Sequence, residues 1–182
     1  MTSTGGQRPE PLYIAVIGDL VDSRNLPNRA EVQRRLVEAL GRYNEEAKAS
    51  IASRFLVTLG DEFQGLLKAS AGASDFWWFF QEHIGREAST RLGFGLGPLT
   101  TDLEEEALGM DGPCFHAARA AIELTRAEKV RFAFGVASCE EVTGILNRVS
   151  RPLERITESW SDVQWRTVLG LHHGRSLTAI AA

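Results

Sequence analysis

From Leu12 to Gly18 (LYIAVIG) the chain is apolar and β-branched without a polar break, the pattern of a strand covered on both faces, and it delivers Asp19 at its end. Asn25, Pro27 and Asn28 then mark a loop. Val32, Leu36, Leu40, Tyr43 and Ala47 recur at spacings of three and four, which predicts a long amphipathic helix with Arg34, Arg35, Glu38, Glu45 and Glu46 on its solvated side. Phe55 to Leu59 and Phe63 to Leu67 flank Gly60-Asp61-Glu62, the spacing of a tight hairpin with an acidic tip. Ser74 is placed to cap a helix carrying Phe76, Trp77, Trp78, Phe79, Phe80 and Ile84, apolar nearly all round. Leu92 to Leu96 reads as a glycine-weakened strand, and Thr101 to Asp111 as an acidic loop or short helix. Phe115 to Arg126 follows as a helix whose Ala117, Ala118, Ala120 and Ala121 permit close packing on a sheet, and Val130 to Val136 as a last strand. Beyond Pro152 the pattern breaks into short helices, Leu153 to Glu158 and Asp162 to Leu169, then a glycine-containing turn and Ser176 to Ala182.

This order predicts an α/β protein of the α+β kind, a ferredoxin-like sandwich close to the split βαβ arrangement, with helices on one face of a mainly antiparallel sheet. Residues 1–11 form a polar tail, 12–148 the main domain and 149–182 a short C-terminal helical segment. With 182 residues, 43% of them hydrophobic, one substantial core is expected. A net charge of -4 and a pI near 5.6 argue against binding nucleic acid by bulk electrostatics. Cys114 and Cys139 stand far apart and outside any CxxC spacing, so reduced, buried thiols are expected. No segment approaches the ~18 uninterrupted apolar residues of a membrane span, so no membrane partner is expected and the cytoplasm follows by elimination.

The candidate chemistry lies in carboxylates. Polyphosphate chemistry with Mg²⁺ (or Mn²⁺) needs acidic side chains held together, because the small hard cation takes oxygen ligands and shares the substrate phosphates. Asp19 closes the first strand and Asp61 and Glu62 head the hairpin; if those strands are neighbours, the carboxylates meet at one sheet edge and repel until a cation neutralises them. Glycine precedes aspartate at both places, Gly18-Asp19 and Gly60-Asp61, which lets a ligand approach the backbone. The bland alternative also stands: Asp19 and Asp22 as helix caps, Asp61 and Glu62 as a polar turn.

Ile17-Gly-Asp-Leu-Val-Asp-Ser-Arg24 together with Thr58-Leu-Gly-Asp-Glu-Phe-Gln-Gly-Leu-Leu67 resembles the SatD family of bacterial proteins. More distantly, the same segments are similar to the palm-like catalytic domains of class III nucleotidyl cyclases and GGDEF diguanylate cyclases, which carry one metal-binding Asp after strand one and another in a Gly-Asp hairpin. That resemblance implies a nucleotide ligand with Mg²⁺ or Mn²⁺. It makes Asp19 and Asp61 the metal-binding and catalytic aspartates with Glu62 beside them, the Leu20 carbonyl a further ligand, and Val21, Asp22, Ser23 and Arg24 neighbours of the phosphates. Arg91-Leu-Gly-Phe-Gly-Leu-Gly97 is similar to a cyclase strand, and Gly112-Pro-Cys-Phe-His-Ala-Ala-Arg119 to the cyclase helix carrying a transition-state Asn and Arg. Arg119 then falls on the arginine, able to neutralise developing phosphate charge. The chain departs from the cyclases at His116 in place of the asparagine, Val57 in place of the purine-reading lysine and Gly109 in place of its acidic partner. Leu59 replaces the first glycine of the GGDEF signature, so neither cyclase base recognition nor diguanylate cyclase activity carries over.

Three further features extend the reading. His116, Cys114 and Asp111 are residue types that ligate metals, although His116 on an alanine-rich helix is also a packed side chain. The aromatic excess from Phe76 to Phe80 hints at a second buried face and hence a homodimer contact. The stretch from Trp160 resembles the start of a helix-turn-helix, which SatD proteins tend to carry at the C-terminus; DNA contact would need a reading helix beyond Ala182. The function classes that remain are a Mg-dependent nucleotide-binding domain with phosphoryl or nucleotidyl transfer, a catalytically idle nucleotide or metal sensor coupled to a C-terminal helix-turn-helix, and a structural domain with an acidic turn.

Overall fold

Alternation along the first strand decides the layers. In the computed structural model, which describes residues 10–84 and 88–181, β1 (Leu12–Leu20) lies between β3 (Glu62–Lys68) and β4 (Thr90–Pro98), antiparallel to both. The expected tail up to residue 9 and the side chain of Arg24 lie outside the described residues. Val16 and Leu20 point to one face with Phe63, Leu92 and Phe94; Ala15 and Ile17 point to the other with Leu66. Both sets are apolar and fully buried, so both faces need cover. The helices α1 (Arg29–Glu46) and α2 (Ala73–His83) pack on the first face, while α3 (Pro113–Glu128) and the 99–111 loop, through Ala107 and Met110, pack on the second. This corrects the expectation of helices on one face only. The sheet has the order β2-β3-β1-β4-β5, where β2 is Ile51–Leu59 and β5 is Phe132–Val136; only β5 pairs in parallel, with β4. The architecture is therefore α+β and mostly antiparallel, with a split βαβ in which β3 separates β1 from β2.

Most boundaries follow the sequence pattern with small shifts. β1 runs on through Leu20, so Asp19 sits within the end of the strand; α2 begins at Ala73 after Gly72, placing Ser74 inside the first turn. The 101–111 segment is a loop rather than a helix. Phe76 and Phe80 are fully buried, Phe76 stacking on Phe55 at 4.6 Å between ring centroids. The rest of the α2 aromatic surface meets the C-terminal part of the same chain: Trp78 stacks on Trp160 at 6.3 Å, and Trp77 lies 6.0 Å from Trp165. α5 (Asp162–His172) thus brings its own tryptophan to that surface and covers part of it, while Trp77 and Trp78 stay half-buried.

A glycine stripe sets the height of α3. Gly93, Gly95 and Gly97 alternate on the face of β4 beneath it, and a Cβ at Gly95 would stand 2.1 Å from the Cys114 carbonyl oxygen and 2.2 Å from the Ala118 nitrogen. Helix backbone rests almost directly on strand backbone, as the alanines of α3 allow.

Both sheet edges are closed within the chain. On β2, Arg54 donates to the Glu105 carbonyl at 2.8 Å and Ala107 donates back to the Arg54 carbonyl at 3.1 Å. On β5, side chains of α4 (Glu140–Glu158) take the place of a neighbouring strand. Thr143 Oγ1 accepts from Val136 N at 2.8 Å, Asn147 both accepts from Phe134 N and donates to its carbonyl at 2.8 Å, and a Glu154 carboxylate oxygen accepts from Arg131 N. This covers an edge that would otherwise expose a row of unpaired donors. It also explains why α4 runs as one 19-residue helix through Pro152 where the sequence suggested a short helix from Leu153. Proline removes one internal donor and crowds the preceding turn, but anchors on both sides of it, Asn147 and Glu154, hold the two halves in line. The boundary expected at residue 148/149 falls inside this helix. After it come α5, opened by a Ser161–Gln164 capping box, and α6 (Leu177–Ala181), which meets α5 where Ile180 crosses Gly170.

Two outcomes follow. Gly95→Ala forces its methyl group into backbone atoms that cannot rotate away, so urea denaturation should show a loss of about 1–3 kcal/mol or more. Glu154 is 5% exposed, and burial pushes its carboxyl above the ordinary 4.5. The folded state therefore holds that proton to higher pH than the unfolded chain does. This contribution is complete below 4.5 and is lost as pH climbs through the raised value. Glu154→Gln keeps an acceptor for Arg131 N without the ionisation; its Tm relative to wild type should rise between acid and neutral pH, and a flat difference would refute the assignment.

Candidate functional site

The register of β1 against β3, ending at Gly18↔Phe63, puts Asp19 beside Glu62, both on the α3 face of the sheet. Asp19 is paired across β4 with Arg91, the residue that precedes the glycine stripe on the same face. On α3, Arg119, Glu123 and Arg126 recur at spacings of four and three and so share one side of the helix. Because the glycines hold α3 low, that side reaches the strand ends. Arg126 donates to one oxygen of Asp19, Oδ2, through Nη2 at 2.7 Å and Nε at 3.2 Å. Its Nη2 also lies 3.8 Å from Glu62 Oε2, and its Nη1 lies 2.5 Å from Glu123 Oε1. Arg119 Nη1 donates to Glu62 Oε1 at 3.0 Å.

Asp19 is 8% exposed, and its second oxygen, Oδ1, has no hydrogen-bond partner; Arg91 Nε approaches it at 3.4 Å as an ion pair only. A buried carboxylate with a free oxygen beside two guanidiniums is prepared for a further hydrogen-bonding or coordinating partner. Hydrogen bonding to Asp19 raises the Arg126 pKa further, so this guanidinium stays charged at any accessible pH. Three carboxylates, Asp19, Glu62 and Glu123, face three guanidiniums, Arg91, Arg119 and Arg126. The expected mutual repulsion of the acids is therefore relieved by arginines of the chain itself. Among the described residues no group of three or more His, Cys, Asp and Glu side chains is placed to hold a metal ion.

Next to this cluster opens a cleft of about 400 Å³ lined by Val21, Asp22, Arg91, Arg126, Lys129 and Arg131 among others. Its walls include two residues in the left-handed conformation, Asp22 (φ 50°) and Lys129 (φ 55°). Four cationic side chains against the carboxylates of Asp22 and Glu158 give it a positive balance.

The other residues singled out in the sequence fall as follows. Asp61 stays at the hairpin tip after Gly60 (φ +63°), and among the described residues it joins no ion pair of the cluster. The Leu20 side chain belongs to the core, and Val21 N donates to the Ser89 carbonyl at 2.8 Å. Ser23 is buried and opens a single 3₁₀ turn, Ser23–Asn25. His116 lies on the same helix stripe as Arg119, exposed, with Nε2 2.8 Å from Asp111 Oδ1. Cys114 points the opposite way into the core, where burial pushes its thiol up to about 11. These three types are therefore not a joint metal site, and Cys114 is no nucleophile at neutral pH. The sequence reading missed Arg126, Lys129 and Arg131, and saw in Arg91 only part of a strand. Two signals were available: Arg119 and Arg126 seven apart on a helix expected to pack on the sheet, and the Arg91-Gly93-Gly95-Gly97 alternation.

If the Asp19–Arg126 contact is a coupled pair, Asp19→Asn and Arg126→Gln should each destabilise by about 1–3 kcal/mol, the lower half because Arg126 is one-third exposed. The double variant should lose clearly less than the sum. Additive losses in a urea-denaturation cycle would show that the two side chains do not interact.

No curated protein matches the chain. Among family profiles the one described as "SatD family" matches residues 13–173, a span that takes in all five strands save Leu12, the acidic and basic side chains of the site and the C-terminal helix α5. With the greater part of its length matched, the chain belongs to the SatD family.

Proposed function

We propose that this SatD-family domain binds a nucleoside triphosphate together with Mg²⁺ (or Mn²⁺). The observation that carries the reading is the cationic cleft of Arg91, Arg126, Lys129 and Arg131 opening beside the free oxygen of Asp19. Phosphates suit such a cleft because guanidinium forks match their oxygens. The cation would be shared between phosphate oxygens and one or two carboxylates, as Mg²⁺ commonly is, with Asp19 the first, Glu62 next to it and Asp61 within the adjoining turn. In such a site the metal comes with the nucleotide rather than ahead of it. When bound, the cation would polarise the phosphates for phosphoryl or nucleotidyl transfer. The chain's own part is to release Arg126 and Arg119 from their carboxylates and turn them toward phosphate charge. The similarity of the Asp19, Asp61 and Arg119 segments to cyclase palms supports the same ligand class.

A second reading has its own support. Arginines already neutralise Asp19 and Glu62, and this favours a catalytically idle sensor in which nucleotide binding exchanges one set of ion pairs for another and passes the change to the C-terminal helices.

Thermal shift separates these readings from a purely structural role. Mg²⁺ alone should leave Tm unchanged, whereas ATP or GTP with Mg²⁺, at about a hundred times Kd, should raise it by about 5–10 °C. Asp19→Asn and Arg126→Gln should abolish the rise. Nucleotide consumption in the same samples indicates transfer; stabilisation without consumption indicates the sensor. Absence of a shift with every triphosphate and either metal would refute the proposal.

A further inference from the structure

Two charged side chains keep a buried atom without a hydrogen-bond partner among the described residues, Asp19 at Oδ1 and Arg131 at Nε. The main chain of Arg131 is fixed on both sides, since its N donates to the Glu154 carboxylate and its carbonyl accepts from Leu92 N at 2.8 Å. Its side chain lines two clefts. One is the cationic cleft shared with Arg91, Arg126 and Lys129; the other, of about 190 Å³, lies between the end of α2 and α5, against Gln81, Trp165 and Arg166. Glu158, exposed at the end of α4, also lines both. Shared walls make the clefts two halves of one trough, and their chemistry differs. The larger half is cationic and carries no aromatic ring among the described residues, whereas the smaller half presents the indole of Trp165. That indole is half-buried and held in place, with Trp160 5.1 Å away and Trp77 and Trp78 each 6.0 Å away between ring centroids. His173, next along from α5, ties the same region to α2 through Glu82 at 2.9 Å. A ring already fixed by its neighbours loses little further freedom when a flat partner settles on it.

We infer that the smaller cleft takes the nucleoside of the bound nucleotide, with the base against Trp165, the ribose hydroxyls on Glu158 and Arg131 at the junction of sugar and phosphates. This rests on the nucleotide reading above and extends it to the other half of the ligand. Each wall selects its own group. Phosphate oxygens call for guanidinium and ammonium donors, which the larger half concentrates. A base calls for a π face, and Trp165 supplies one with the Arg166 guanidinium on the same wall. Ribose hydroxyls donate to a carboxylate, and Glu158 is the carboxylate common to both halves. Arg131 Nε, buried without an acceptor, gains one from the first phosphate. Size agrees, because about 190 Å³ suits a single heterocyclic base and leaves the larger cleft for the phosphates and their cation. A base seated on Trp165 also makes α5 part of the binding site, which gives the sensor reading a physical route from ligand to C-terminal helices.

The test compares ATP and GTP with inorganic tripolyphosphate, each with Mg²⁺, on the whole chain by calorimetric titration. The preferred nucleotide should bind about 5- to 100-fold more tightly than tripolyphosphate, the worth of one stacked base. All four tryptophans of the chain lie in this one cluster, so the nucleotide should also quench intrinsic fluorescence, and tripolyphosphate should not. Trp165→Ala should remove the nucleotide's advantage and leave tripolyphosphate binding unchanged, while Trp165→Phe, which keeps a ring, should retain most of that advantage. Glu158→Ala, at an exposed position, should abolish the preference for the ribonucleotide over its dideoxy analogue. Equal affinity of wild type for nucleotide and tripolyphosphate would overturn the inference and leave the phosphate cleft in place. Equal loss of both ligands in Trp165→Ala would show a structural role for that ring and overturn its assignment. A nucleoside preference that survives both alanine variants would put the nucleoside elsewhere. If no triphosphate binds at all, the nucleotide reading itself is refuted and this subsite with it.

Discussion

Bare backbone on one face of β4 is the constraint from which the candidate site follows. Three alternate glycines, Gly93, Gly95 and Gly97, leave no side chain between strand and helix, so α3 settles against the sheet at backbone contact. Glycine in a strand interior normally costs stability through lost packing and added chain entropy. Here that cost is offset by the close approach of Cys114, Ala118 and Ile122, all fully buried. The charged stripe of α3 then reaches over the ends of β1 and β3. At that height Arg126 reaches Asp19 at 2.7 Å.

That geometry produces a carboxylate cluster balanced by arginines of the same chain. Asp19 is buried, and guanidiniums from two elements lie against its carboxylate. The same guanidiniums wall a cleft in which they could face phosphate instead. Exchange of one counter-charge for another requires no backbone rearrangement, only rotation of long side chains that are partly exposed.

The other end of the sheet poses a different problem. β5 is an edge strand, and its outward donors and acceptors need partners. α4 provides them with Thr143, Asn147 and Glu154, which obliges its polar side to face the body and leaves its aliphatic side outward. α1 shows the usual arrangement, with Val32, Leu36 and Leu40 in the core and its Arg–Glu ion pairs in water. Comparing the two helices makes clear that amphipathicity reports two unlike faces without saying which of them is inside.

Sequence alone carried the element order, the α+β class, the long helix α1, the Asp-bearing strand end and the acidic hairpin. Each depends on periodicity or turn chemistry within a few neighbouring residues. It also carried the family, through two short motifs around Asp19 and Asp61. Tertiary structure decided what lies between distant segments: that α3 covers the face opposite α1 and α2, that Glu62 rather than Asp61 shares a guanidinium with Asp19, and that Arg126, 107 residues beyond Asp19, supplies it. It likewise decided that Pro152 does not break α4 and that the aromatic surplus of α2 is met in part by Trp160 and Trp165. Local pattern is set by side chains that the chain itself places side by side, whereas ion-pair partners and edge cover are set by which elements happen to stack, a choice made by total burial and written in no single stretch of sequence.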